Sequence, residues 1–242
     1  MRRTPLLAAL VCACLPLAAG AFTADELIAK NIEARGGAGK LAALKSVRLS
    51  GTFKPGGGVE FGYTQTVKRG MVRNELSVQG MNIVQAYDGK EGWAINPLQG
   101  RKDPERLAAD DVKNLVVQAD LDGPLVDYKG KGNKVEYLGT EDVDGSEAHK
   151  LRVTQANGDK QIVFLDPDHF LTIRVIQQQF VRGGETQAEI DFGDYELVNG
   201  VYLPFEIGVG GRGDTEKAQL VIDKAEANVA ADDALFHFPA AK

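Results

Sequence analysis

The chain has 242 residues carrying 28 basic and 34 acidic side chains, a formal net charge of −6, and only two cysteines. An acidic balance of this kind argues against nucleic acid, whose binders concentrate positive charge. Both cysteines, Cys12 and Cys14, fall inside an apolar leader, so the rest of the chain has no thiol for a disulfide, a thiolate metal site or a nucleophile.

That leader opens with Arg2 and Arg3, continues as an apolar run over 6–19 that is too short to span a bilayer, and ends in Ala19-Gly20-Ala21. It reads as a signal peptide, residues 1–21, cleaved before Phe22. Arg2-Arg3 lacks the surroundings of a twin-arginine signal, and the apolar residues after Cys14 favour an ordinary signal core over lipidation at that cysteine. Removing 1–21 leaves 26 basic against 34 acidic residues, net −8. The remainder, 22–242, is expected to be one domain, soluble outside the cytoplasm and monomeric.

Thr23-Ala24-Asp25-Glu26 has the form of a capping box and predicts a helix with Leu27, Ile28 and Ile32 as its apolar stripe, ended by Gly36-Gly37. Leu41 and Leu44 continue as a second short helix. From Val47 the apolar period becomes two: Val47, Leu49 and Phe53, then Val59, Phe61 and Tyr63, alternate with polar residues. Further strands are predicted at 72–78, 81–87, 93–96, 135–138, 149–154, 161–165, 171–178, 188–194, 201–207 and 218–224. Asp88-Gly89, Asp144-Gly145, Asn157-Gly158 and Asn199-Gly200 each suggest a two-residue hairpin turn, since glycine accepts positive φ freely. One segment interrupts this pattern. Asp103-Pro104-Glu105, followed by Val112, Leu115, Val116 and Ala119 at helical spacing, predicts a helix pair closed by Asp122-Gly123-Pro124.

Some ten strands with so little helical cover leave two solutions open: a sheet that curls until it fills itself, or one that keeps an apolar hollow under the helices. Catalytic chemistry is not legible. His149, His169 and His237 are scattered, without a paired metal-binding spacing, and Asp120-Leu121-Asp122-Gly123 reads as a helix terminus and turn rather than a calcium loop. No nucleophile lies near a base, and nothing asks for a cofactor or a metal, so the expectation is a non-enzymatic protein.

Lys68-Arg69 at a strand end, Asp88-Gly89-Lys90 leading to Trp93 and Asn96-Pro97, a helical excursion, and the ending Leu235-Phe236-x-Phe238-Pro239 together resemble the periplasmic lipoprotein-sorting proteins, the LolA-like carriers and their relatives. The resemblance implies a mainly β (α+β) fold: an unclosed, strongly curved antiparallel β-barrel of about eleven strands, with short helices covering the open side. It also implies an apolar cavity for lipoprotein acyl chains or other lipid, and membrane-bound donor and acceptor proteins as partners. In that family the arginine of the basic pair bonds to the helical lid, and the matching residue is Arg69. Gly70 departs from the family's usual proline there, which is expected to loosen the strand end.

With the helices as cover, the expected ligand-binding residues are Phe61, Tyr63, Met81, Ile83, Trp93, Leu115 and Val116, with Trp93 equally readable as core. Two readings of other classes stay open: a sensing or regulatory module of the same fold, and a hydrolase.

Overall fold

The computed structural model describes residues 22–181 and 183–239, and the expected signal peptide, its cleavage site and Cys14 lie outside them. Helix α1 (Ala24–Ala34) starts as its sequence predicts: the Thr23 hydroxyl accepts from the Glu26 N–H, and the Glu26 carboxylate accepts from the Thr23 N–H. Gly36 and Gly37 end it at φ of +115° and +87°. Helix α2 (Ala38–Ala43) follows, and the pair docks closely on the turn at Asn199-Gly200. A Cβ on Gly36 would stand 2.0 Å from the Gly200 carbonyl oxygen, so only glycine fits.

The strands are β1 (Ser46–Lys54), β2 (Phe61–Lys68), β3 (Met71–Val78), β4 (Met81–Tyr87), β5 (Gly92–Asn96), β6 (Arg101–Arg106), β7 (Lys134–Val143), β8 (Ser146–Thr154), β9 (Lys160–Leu165), β10 (Thr172–Val181), β11 (Gly184–Val198), β12 (Val201–Gly211) and β13 (Ala218–Ala227). Among the described residues they form one antiparallel sheet in the order β6-β5-β4-β3-β2-β1-β13-β12-β11-β10-β9-β8-β7, with β6 and β7 as free edges. The sheet is unclosed, as the resemblance implies, but has thirteen strands rather than about eleven and is not tightly curled.

The strand missed by the sequence is β6. Instead of a helix pair there is an edge strand and a single helix, α3 (Ala109–Gln118). Pro104 had suggested a helix start, yet an edge strand tolerates proline because one side of it needs no donor. Two of the four hairpin signals are met as expected. Asp144-Gly145 and Asn199-Gly200 turn with both residues at positive φ. Asp88-Gly89 instead belongs to a four-residue connection in which the Asp88 carboxylate accepts from the Lys90 and Glu91 N–H groups. Asn157-Gly158 likewise lies in a longer loop between β8 and β9.

The bend of the sheet is measured by α3. Strands β3 and β10 are six places apart in the sheet order, about 29 Å if the sheet were flat. A ten-residue helix is only about 15 Å long. Yet Leu115 of α3 and Ala119 just after it pack on Val72 of β3, while the Lys113 ammonium bonds the Phe180 carbonyl of β10. The two arms therefore rise toward each other, and α3 bridges them.

Each helix buries one patch of the inner face. Leu27 and Ile28 of α1 pack with Leu151, Val153, Val163, Leu165 and Val175 of β8–β10. Leu41 of α2 packs with Val47 and Val201. On the opposite face the tail after β13 closes over Val84, Ala86 and Trp93. Phe236 is fully buried there, its carbonyl accepting from the Trp93 indole at 2.7 Å.

His149 of β8 holds the start of α1 in place. The buried ring stacks on Phe170, meets Phe22 edge-on, and lies 3.2 Å from the Tyr137 hydroxyl. Loss of water contact, with the Lys30 ammonium nearby, keeps it below the ordinary imidazole value of 6.5. The folded chain thus takes up this proton later than the unfolded chain, so His149 supports folding fully above about pH 6.5 and loses that support as the pH falls further. Thermal unfolding followed from about pH 7.5 to about pH 5, above the range in which ordinary carboxylates titrate, should show a falling midpoint that His149→Phe flattens.

Candidate functional site

The inner face is identified by what α3 touches. Val67, Val72 and Tyr87 meet the helix, and strand alternation places every second residue on the same side. On β2 these are Gln65, Tyr63 and Phe61; on β3, Asn74, Leu76 and Val78; on β4, Gln85, Ile83 and Met81. The register puts Tyr63 opposite Leu76 and Leu76 opposite Ile83. Phe53 of β1 continues the surface, 6.3 Å from Phe61 between ring centroids, and packs with Tyr63, Phe205, Leu220 and Ile222. The result is an apolar band across β12, β13 and β1–β4, beyond the patches covered by the helices. Phe61, Tyr63, Leu76, Met81 and Ile83 in it are only half-buried.

The structure brings together four of the seven expected binding residues on this band: Phe61, Tyr63, Met81 and Ile83. The other three lie elsewhere. Leu115 is fully packed under α3 against Val67, Val72 and Ala119. Val116, on the next position of the helix, is 47% exposed and faces away from the sheet. Trp93 pairs with Ala86, on the opposite face, and is sealed by Phe236 and Phe238. Helical spacing groups Leu115 with Val116, but they are 100° apart around the helix, and only one can meet the sheet.

A strap formed by α3 and the loop after it, 109–133, crosses the trough and is tied at several points. The Arg69 guanidinium pairs with the Asp122 carboxylate and donates to the Leu41 carbonyl of α2 at 2.8 Å. The Gly70 N–H donates to the Ala119 carbonyl at 3.1 Å. A proline has no N–H to give, so Gly70 adds a tie to the strap rather than loosening the strand end. Arg35, at the end of α1, donates to the Asp122 carbonyl at 2.6 Å. Burial draws the Arg35 guanidinium below its ordinary value, while Tyr195, Asp122 and Asp120 oppose that effect. Burial likewise raises Asp120 despite the Lys131 ammonium 2.7 Å away. Lys131 also donates to the Gly123 carbonyl and so closes the Asp120–Gly123 turn on itself.

Two open clefts flank α3. One, of about 330 Å³, separates Lys113, Val116 and Val117 from the β8–β9 turn at Gln155–Gln161, and the other, of about 380 Å³, lies between Val116, Leu121 and Arg69-Gly70. The strap is thus packed firmly on the β2–β3 arm and held across a gap from the β8–β10 arm. Among the described residues no group of three or more His, Cys, Asp or Glu side chains could hold a metal, and no helix is long and apolar enough to cross a membrane.

No family model matches this chain, and no curated protein matches it in sequence. Its three-dimensional form does have counterparts. A LolA superfamily protein from Nitrosomonas europaea superposes over 90% of this chain and 98% of its own, with a TM-score of 0.57 at 15% identity. The fold is LolA-like. A protein assigned as an outer membrane lipoprotein-sorting domain from Vibrio parahaemolyticus covers 86% of this chain and 97% of its own (TM-score 0.54, 12% identity). A DUF1329 family protein from Desulfovibrio piger ATCC 29098 covers 88% and 97% (TM-score 0.53, 13% identity).

Within this LolA-like trough, sequence reading missed two groups. Asp122 was placed in a turn, with no sign that Arg69, fifty-three residues earlier in the chain, would reach it. Gln65, Asn74 and Gln85 were also passed over, although they are polar residues at inward positions of three successive strands. Such a break in phase with Phe61-x-Tyr63 and Met81-x-Ile83 is a detectable signal.

Arg69→Leu should lower stability by about 1–3 kcal/mol, the usual worth of charged hydrogen bonds whose partners are left behind. It should also speed hydrogen exchange at 119–123 more than in the core strands. Uniform exchange across both regions would mean that Arg69 does not hold the strap.

Proposed function

We propose that this protein is an exported carrier that accepts the acyl chains of a lipoprotein, or a similar amphiphile, on the inner face of its open sheet and passes them on unchanged, between membrane-bound partners in the cell envelope. The observation that carries this reading is the half-buried apolar band of Phe61, Tyr63, Leu76, Met81 and Ile83, left uncovered beside a strap latched by Arg69. The LolA-like fold supports it, and so does the absence of any catalytic grouping legible in the sequence.

The physical demands of such a task match this arrangement. At about 0.8 kcal/mol per methylene, a sixteen-carbon chain represents roughly 12 kcal/mol of gross burial, so transfer through water needs a shielding surface. A carrier must also let go. An open trough with a separable cover offsets part of that burial through the cost of opening, which keeps release feasible. Arg69 is the latch in this reading: its bonds to Asp122 and to the Leu41 carbonyl join three separate pieces, the β2–β3 turn, the strap and α2.

Pyrene, an apolar fluorophore with no hydrogen-bonding group, is the simplest probe of the band. Wild-type protein should bind it with the emission ratio of an apolar environment. Phe61→Asp and Ile83→Asp should each weaken binding at least about tenfold, because a carboxylate in the band must be desolvated without a partner. Circular dichroism at the assay temperature should show both variants folded. If pyrene fails to bind, or binds both variants as well as wild type, the carrier reading is lost.

A further inference from the structure

Between the part of the inner face covered by α3 and the open apolar band runs a single row of carboxamides. Gln65 stands opposite Asn74, and Asn74 opposite Gln85, on three adjacent strands. Gln118, in the last turn of α3, reaches down onto the row. The Gln65 amide donates to Asn74 Oδ1 at 2.9 Å and to Gln118 Oε1 at 3.2 Å, and the Asn74 amide donates to Gln118 Oε1 at 2.7 Å. Two positions along the strands to one side lie Val67, Val72 and Tyr87 under α3; two positions to the other lie Tyr63, Leu76 and Ile83, half-buried.

The row is uncharged although charge is available nearby. Lys68, Arg73 and Glu75 of the same strands take the opposite face, where Lys68 pairs with Asp233, Arg73 with Glu75, and the Arg73 guanidinium donates to the Leu235 carbonyl. The hydrogen bonds within the row also leave capacity. Among the described residues, Gln65 Oε1, Gln118 Nε2 and the whole Gln85 amide have no protein partner, so both donors and acceptors face the trough. Gln85 and Gln118 are exposed.

We infer that this row is the head-group subsite of the trough. It takes an amphiphile whose acyl chain lies along Tyr63, Leu76 and Ile83 and whose polar end is an uncharged amide or ester. The inference rests on the carrier reading and specifies its ligand class. A carboxamide row offers matched donors and acceptors to a neutral amide or ester. It offers no counter-charge to a carboxylate, phosphate or ammonium, which would surrender hydration without compensation. Once a bound amphiphile covers the row, a mismatched head leaves its donors and acceptors unpaired, and discrimination of that kind is large.

The test is displacement of bound pyrene by three amphiphiles of equal chain length: dodecanamide, dodecanoate at pH 8, and dodecyltrimethylammonium. Dodecanamide should displace pyrene at about tenfold lower concentration than either charged compound. Gln85→Lys should reverse the order in favour of dodecanoate. Gln65→Leu should abolish the preference for dodecanamide over the two charged compounds. Gln85 makes no bond to α3, so a purely structural amide cluster would leave the Gln85→Lys preference where it was. Equal displacement by all three compounds in wild type, or an unshifted order in Gln85→Lys, would overturn the head-group assignment while leaving the carrier reading intact. Loss of pyrene binding by wild type would instead remove the reading on which it rests.

Discussion

An unclosed sheet has an inner face that its own closure does not fill, and everything else in this structure responds to that surplus. Among the described residues, three short α-helices and one loop must cover the inner sides of thirteen strands. They manage it in patches, α1 over β8–β10, α2 at Val47 and Val201, α3 over Val67 and Val72. The remaining apolar surface, centred on Phe61, Tyr63, Leu76 and Ile83, is half-buried because no element of the described chain lies on it. An apolar surface of this kind in a folded protein is either an interaction site or an aggregation hazard. Its concave placement, between arms joined by α3, favours a site.

Cover and latch are energetically distinct. The strap is packed against the β2–β3 arm by Leu115 and Ala119, an attachment made by burial, whereas its link to α2 runs through Arg69 and Asp122, a polar attachment. Apolar packing weakens gradually as surfaces separate, but charged hydrogen bonds are directional and are lost within a short movement. The cover is thus held by burial on one arm and by polar ties to α2 and β10. One oxygen of Asp122 is buried without a partner, which makes the tied state less favourable than a fully satisfied one.

Much of the fold was legible because its signals are local. The capping box at Thr23–Glu26, the two-residue turns at Asp144-Gly145 and Asn199-Gly200, and the period-two strands follow from interactions within a few residues of each other. Edge strand β6 was not legible, since proline and charges are tolerated where one side of the backbone is unpaired. The candidate site was legible in part. Alternation grouped Phe61 with Tyr63 and Met81 with Ile83 correctly, because strand geometry alone fixes which residues share a side. It could not tell that the face of Trp93 is the outer one, covered by a tail more than a hundred and forty residues away in the chain.

The amino-acid order by itself determined every strand but β6, the two-residue turns at Asp144-Gly145 and Asn199-Gly200, the lack of thiols beyond Cys14 and the likeness to lipoprotein-sorting proteins. These depend on side-chain type and spacing over short distances. Only the tertiary structure decided which face of the sheet is inner, that Arg69 reaches Asp122 and the Leu41 carbonyl, and that Gln65, Asn74, Gln85 and Gln118 converge beside the apolar band. Each of these depends on strand register and on the bend that brings α3 across the trough. Register and bend are set by the packing of the whole sheet, and no local stretch of sequence encodes them.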